Sequence, residues 1–157
     1  MKFNVNLIFI TFISLISHYA IAGNTEIPIG IFEYVYEYNT ENQIENHYIK
    51  ISIKNGNIHG EYYGTSDDFD NAREGYLPGY FTAQMMNIQT KGKNISFSIK
   101  PSKYFKNPIT PISKTINNIP WDIPIKSTKR TYKGTYSDKK LIINSNGLDP
   151  RTFIKIK

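Results

Sequence analysis

The stretch Ile49–Tyr62, IKISIKNGNIHGEY, decides how this chain folds. Isoleucine alternates with lysine or serine through Ile49, Ile51 and Ile53, the period of two that places one face of a strand in a core and the other in water. Asn55-Gly56 follows at once, and this dipeptide favours a two-residue type I′ turn because both of its residues accept positive φ. The turn sets the register. It places Ile53 opposite Ile58, Ile51 opposite Gly60 and Ile49 opposite Tyr62 on one face, and Lys50 opposite Glu61 and Ser52 opposite His59 on the other.

Working outward, the same logic repeats. Phe32, Tyr34, Tyr36 and Tyr38 alternate with Glu33 and Glu37 along an expected strand of about ten residues. A second hairpin is expected around Lys91-Gly92, with Ile88 beside Ile95 and Met86 beside Phe97. A third, around Asp138-Lys139, sets Tyr136 beside Leu141, and a last strand runs from Thr152 to Lys157. Twelve tyrosines and nine phenylalanines suit strands rather than helices. The expectation is an all-β domain: a single antiparallel meander of about eight strands closed as a small β-barrel, with a two-sheet sandwich as the alternative. Two stretches interrupt it. Residues 65–79 read as a polar, acidic loop that turns aromatic. Residues 101–129 form a long loop in which Pro101, Pro108, Pro111, Pro120 and Pro124 remove the amides that regular structure needs.

The N-terminus carries a different signal. Lys2 precedes the uncharged run Leu7–Ile16, and Ala20-Ile21-Ala22 supplies small residues where a signal peptidase reads, so residues 1–22 are expected to be a cleaved secretory signal and residues 23–157 one domain. An apolar run of about ten residues is half of what a bilayer-spanning helix requires. The expected product is periplasmic or secreted, soluble and without a transmembrane segment. The chain has no cysteine, which excludes both disulfides and a lipidated N-terminal cysteine.

Charge is split along the chain. Residues 23–74 hold three basic and ten acidic side chains, and residues 75–157 hold fifteen basic and three acidic ones. That layout suits charged partners or a second copy of the chain. The basic residues are scattered through strands and loops without a recognition motif, so nucleic acid is not an expected partner.

Catalytic and cofactor signatures are missing: there is no glycine-rich phosphate loop, no G-x-S-x-G elbow and no zinc-ligand spacing, so no cofactor and no enzymatic activity are expected. His59 reads as an exposed strand histidine and His47 marks a strand start. A carboxylate such as Glu61 or Asp70 would have to serve any hydrolase reading. In the acidic loop, Asp68, Asp70 and Glu74 partly match the alternation of oxygen ligands that calcium wants, but Ala72 and Arg73 break it. The candidate contact surface is aromatic instead: Tyr62, Tyr63, Tyr76, Tyr80 and Phe81, then Tyr104 and Trp121, with rings on long loops offering area and a polar tip.

With its leader, the Gly30-Ile31-Phe32 opening of the first strand, the run of hairpins and Arg151 near the last strand, the chain resembles the calycin group of lipocalin-like barrels, with Phe32 where that group carries tryptophan. The resemblance implies a cup for a small apolar or amphipathic ligand. The competing expectation is an inhibitor or immunity-type protein that acts on an envelope protein, a wall-degrading enzyme or a toxin, with loop 101–129 protruding as the wedge.

Overall fold

The computed structural model describes residues 27–41, 44–65, 79–112, 120–121, 128–145, 147 and 149–157. The expected leader 1–22, Tyr76 and the acidic residues Asp68, Asp70 and Glu74 lie outside these. Among the described residues every regular element is a strand, and all of them belong to one antiparallel sheet rather than two. The strands are β1 (Gly30–Tyr34), β2 (His47–Lys54), β3 (Asn57–Thr65), β4 (Tyr80–Gln84), β5 (Met86–Lys91), β6 (Asn94–Ile99), β7 (Tyr104–Phe105), β8 (Pro120–Trp121), β9 (Arg130–Tyr136), β10 (Lys140–Ser145) and β11 (Arg151–Lys155).

The hydrogen-bonded order is β5-β6-β9-β10-β11-β1-β2-β3-β4-β7-β8. This order has two ends, so the ladder itself does not close into the expected ring. The sheet is nevertheless strongly coiled. β3 and β9 stand five places apart in the order, about 24 Å in a flat sheet at ~4.8 Å per strand. Yet the rings of Tyr62 on β3 and Tyr132 on β9 stack with centroids 5.3 Å apart. Inward side chains from both arms therefore share one core.

That core is aromatic and aliphatic in layers: Phe32, Ile49, Ile51, Tyr62, Phe81, Phe97, Ile99, Tyr104, Tyr132, Leu141, Ile143 and Phe153 are all essentially inaccessible to solvent. Burying such a side chain is worth roughly 1.5–3 kcal/mol, which is how a chain without disulfides holds a sheet together.

The β2–β3 hairpin has the register read from its sequence, Ile49 opposite Tyr62 and Lys50 opposite Glu61, with Asn55 and Gly56 both at positive φ as a type I′ turn demands. Tyr136 faces Leu141 across the β9–β10 turn, also as read. The β5–β6 hairpin differs. Its turn is Gly92-Lys93, so Thr90 rather than Ile88 faces Ile95, and Met86 faces Ser98 rather than Phe97. Glycine at φ +58 takes the first turn position, the type II′ solution, and Asn87 at φ +53 forms a bulge that absorbs the offset.

β1 is also shorter than its alternation suggested. It ends at Tyr34, because the amide of Tyr36 is captured by Asn46 Oδ1 at 3.1 Å and the chain turns at Glu37-Tyr38. The stretch 80–91 is two strands joined at Met85, whose amide bonds back to Gly60 O on β3 at 2.8 Å. Gly60 makes room for the Met85 side chain, since a Cβ there would strike the Met85 sulfur. The beginning of the proline-rich loop is structured: β7 pairs with β4, and Ile109 is buried against the outer face of the sheet.

Candidate functional site

The expected aromatic contact surface is divided by the sheet. Tyr62, Phe81 and Tyr104 point inward and belong to the core, whereas Tyr63 and Tyr80 point outward into a second cluster with Tyr48 and Ile109, packed by Ile31 and Phe105. All five are buried. Trp121 is placed by its backbone, opposite Tyr104 across β7–β8. No common exposed surface is formed by the five rings.

Inside, among the described residues, the core rings pack directly on one another. Tyr62 stacks on Phe81 at 6.0 Å and on Tyr132 at 5.3 Å, Tyr132 stacks on Phe97 at 5.3 Å, and Tyr104 meets Phe81 edge-on at 5.9 Å. These separations are those of rings in direct contact.

One end of this core is polar. His47 and Arg151 sit two residues before Ile49 and Phe153, on the inward phase of their strands, and with Tyr34 and the hydroxyl of Tyr62 they form a terminal layer. His47 is 2 % exposed. Arg151 Nη1 lies 3.3 Å from His47 Nδ1 and 3.5 Å from the Tyr62 hydroxyl, and that hydroxyl is 3.0 Å from the same Nδ1. A guanidinium only donates, so Nδ1 presents a lone pair and the imidazole proton is assigned to Nε2, which faces Thr65 Oγ1 at 3.5 Å. The Arg151 guanidinium also lies 5.4 Å from the Tyr34 ring centroid, a cation–π distance. Gly64 leaves room beside this layer, since a Cβ would come within 2.9 Å of the Phe81 and Tyr62 rings and 3.1 Å of His47 Nδ1. The sequence offered one signal for His47 and Arg151, the period of two continued one step beyond the isoleucine and phenylalanine runs. Chemically the layer joins these groups to one another by hydrogen bonds, with the acceptor nitrogen of the imidazole facing two donors.

Outside, Glu61 gathers three groups. Tyr63 donates its hydroxyl at 2.9 Å, Gln84 its amide at 3.3 Å, and Lys50 approaches at 3.5 Å. Burial pushes the carboxyl up, but the bond from Tyr63, the Lys50 charge and the Gln84 bond together hold it below its ordinary value. Burial and the neighbouring Glu61 carboxylate push the Tyr63 hydroxyl well above the usual tyrosine range. Tyr48 is pushed up in the same way, by burial first and then by Glu33.

Among the described residues the two most exposed large apolar side chains, Tyr38 at 71 % and Val35 at 61 %, lie between β1 and β2, with Ile44 48 % exposed in the same loop. Side-chain hydrogen bonds tie the described residues of this loop together. Asn46 Oδ1 accepts from the Tyr36 amide at 3.1 Å and from Asn39 Nδ2 at 2.6 Å, Asn46 Nδ2 donates to Glu33 at 3.0 Å, and Asn39 Oδ1 accepts from the Glu45 amide at 2.8 Å. From Ile31 to Ile49 the chain carries four glutamates and no lysine or arginine.

Among the described residues, no group of three or more His, Asp or Glu side chains is arranged to hold a metal ion, and no helix is long and apolar enough to cross a membrane. No family model, curated protein or solved structure matches the chain.

Proposed function

We propose that this protein is an exported, non-enzymatic binding module that recognises a protein through its outer surface and loops rather than a small molecule through its interior. The observation that carries the reading is the core itself. Tyr62, Phe81, Phe97 and Tyr132 occupy the interior in mutual contact, leaving their space to no guest. The polar layer of His47, Tyr62 and Arg151 supports the non-enzymatic part, since His47 Nδ1 is held between the Tyr62 hydroxyl and the Arg151 guanidinium. The β1–β2 loop supports the binding part. A large aromatic displayed on a pre-ordered loop loses little conformational freedom on docking. Export rests on the leader-like residues 1–22, with their charged start, apolar run and small-residue site.

The reading is tested by native mass spectrometry of residues 23–157 purified from the producing cells, together with chemical cross-linking in the intact envelope. The expected result is a mass equal to the polypeptide alone and cross-links from the 35–44 loop to protein. A stoichiometric bound lipid or metabolite would overturn it and restore the cup reading.

A further inference from the structure

The outer face of the sheet has a covered half and an open half. The strap of residues 101–112 covers Tyr48, Tyr63 and Tyr80 with Ile109 and Phe105. On the other half, β9, β10 and β11 leave Ile142 41 % and Ile154 45 % exposed. These two isoleucines are diagonal neighbours on one face, because Ile142 pairs with Thr152 and Ile154 with Lys140.

Beside Ile142 the surface is hollowed. Gly134 lies in the floor, Ser96, Thr135 and Asn144 line the walls, and Lys91 and Lys133 stand on the rim. Gly134 pairs with the inward-facing Ile95 and Ile143, and a Cβ there would run into the backbone of Ile142, so the strands stay bare at that point. The rim is cationic, with Lys91 and Lys133 both exposed.

The β1–β2 loop is complementary to this surface in sign. It projects Tyr38 with Val35 and Ile44 as an apolar knob, flanked by the exposed Glu37 and Glu41. We infer that the loop of one molecule docks on the β9–β10 face of a second copy, Tyr38 entering the hollow over Gly134 against Ile142, with Glu37 and Glu41 facing Lys91 and Lys133. The inference rests on the protein-binding reading and names one partner for it. Knob and hollow are different surfaces, so the contact is heterologous and each molecule keeps one unused knob and one unused hollow. The two apolar patches are small, so the contact is weak and needs the charges to hold it.

Sedimentation velocity on residues 23–157 tests this. Association that grows between about 5 and 500 µM at ~50 mM salt is expected, and it should fall at least fivefold in apparent affinity at ~500 mM salt, where the screening length shortens to a few ångströms. Tyr38→Ala and Lys133→Glu each remove an exposed side chain and should each give a monomer with unchanged thermal midpoint. Mixing the two variants one to one should restore a dimer and nothing larger, because each variant retains the surface that the other lost. A monomer at every concentration overturns the inference, as does association that survives Tyr38→Ala or a mixture that stays monomeric. Failure here with loop cross-links to another protein in the envelope would sink self-association alone, whereas a bound small molecule would sink the protein-binding reading.

Discussion

Tyr62 and Tyr63 are neighbours in the chain and opposites in the molecule. Tyr62 points into the core, where its ring touches Phe81, Phe97, Tyr132 and Phe153 and its hydroxyl meets His47. Tyr63 lies on the outer face beside Tyr48 and Tyr80, its hydroxyl given to Glu61. The pleat sends adjacent side chains to opposite faces, so one residue type serves two ends: ring packing inside, and polar anchoring of an apolar outer patch. The difference teaches that in this sheet tyrosine is chosen where a large ring must end near a polar group, on either face.

The comparison can be broken most severely at Tyr62. Tyr62→Ala removes the ring shared by four others and should cost about 3–5 kcal/mol, read as the shift in urea midpoint of residues 23–157. A loss under about 1 kcal/mol would mean that the core does not depend on the ring. Gly64→Ala attacks the same region from the backbone, pressing a methyl group on Tyr62, Phe81 and His47, and should cost about 1–3 kcal/mol. Tyr62→Phe keeps the ring and removes the hydroxyl from between His47 and Arg151, for a loss of about 1–2 kcal/mol. If Tyr62→Phe were neutral, the polar layer would contribute nothing through that hydroxyl.

Tyr63 should respond more gently. Tyr63→Phe keeps the outer packing and should cost less than about 1 kcal/mol, while Glu61, losing its donor, titrates closer to its ordinary value. The pH dependence follows. Because the folded state holds Glu61 below its unfolded value of about 4.5, its contribution is present above that pH and is lost as pH falls through the folded value. Tyr63 runs the other way: its raised value makes its contribution complete below the unfolded tyrosine value and lost as pH rises through the folded one. For so accessible a carboxylate the acid effect should be a few tenths of a kcal/mol. Thermal melts between about pH 3 and 6 should show that slope flattened in Glu61→Gln, and an unchanged slope would remove Glu61 from the account.

Legibility followed the range of the interactions. Local alternation and an Asn-Gly turn were enough for the β2–β3 register, because both act within a few residues. The β5–β6 register was misplaced because Lys91-Gly92-Lys93 permits two turns, and the choice was made by the bulge at Asn87 and by pairing with β9. The long first strand failed at Tyr36, whose amide is taken by a side chain ten residues on. The aromatic residues of the candidate surface were readable as a group, but not their division between core and outer cluster, since that depends on which face the coiled sheet encloses. Asp68, Asp70, Glu74 and Tyr76 lie outside the described residues.

What the sequence determined by itself was the class of structure and its local grammar: strands from period-two hydrophobicity, hairpins from glycine turns, and the separation of an acidic from a basic half. Only the tertiary structure decided that rings from β3 and β9 stack across the core, that His47 and Arg151 meet from residues 104 apart, and that Tyr38 and Ile142 are left exposed. Periodicity records which side of its own strand a residue occupies. What stands across the core from it is set by coiling and strand order, which join residues that share no local sequence.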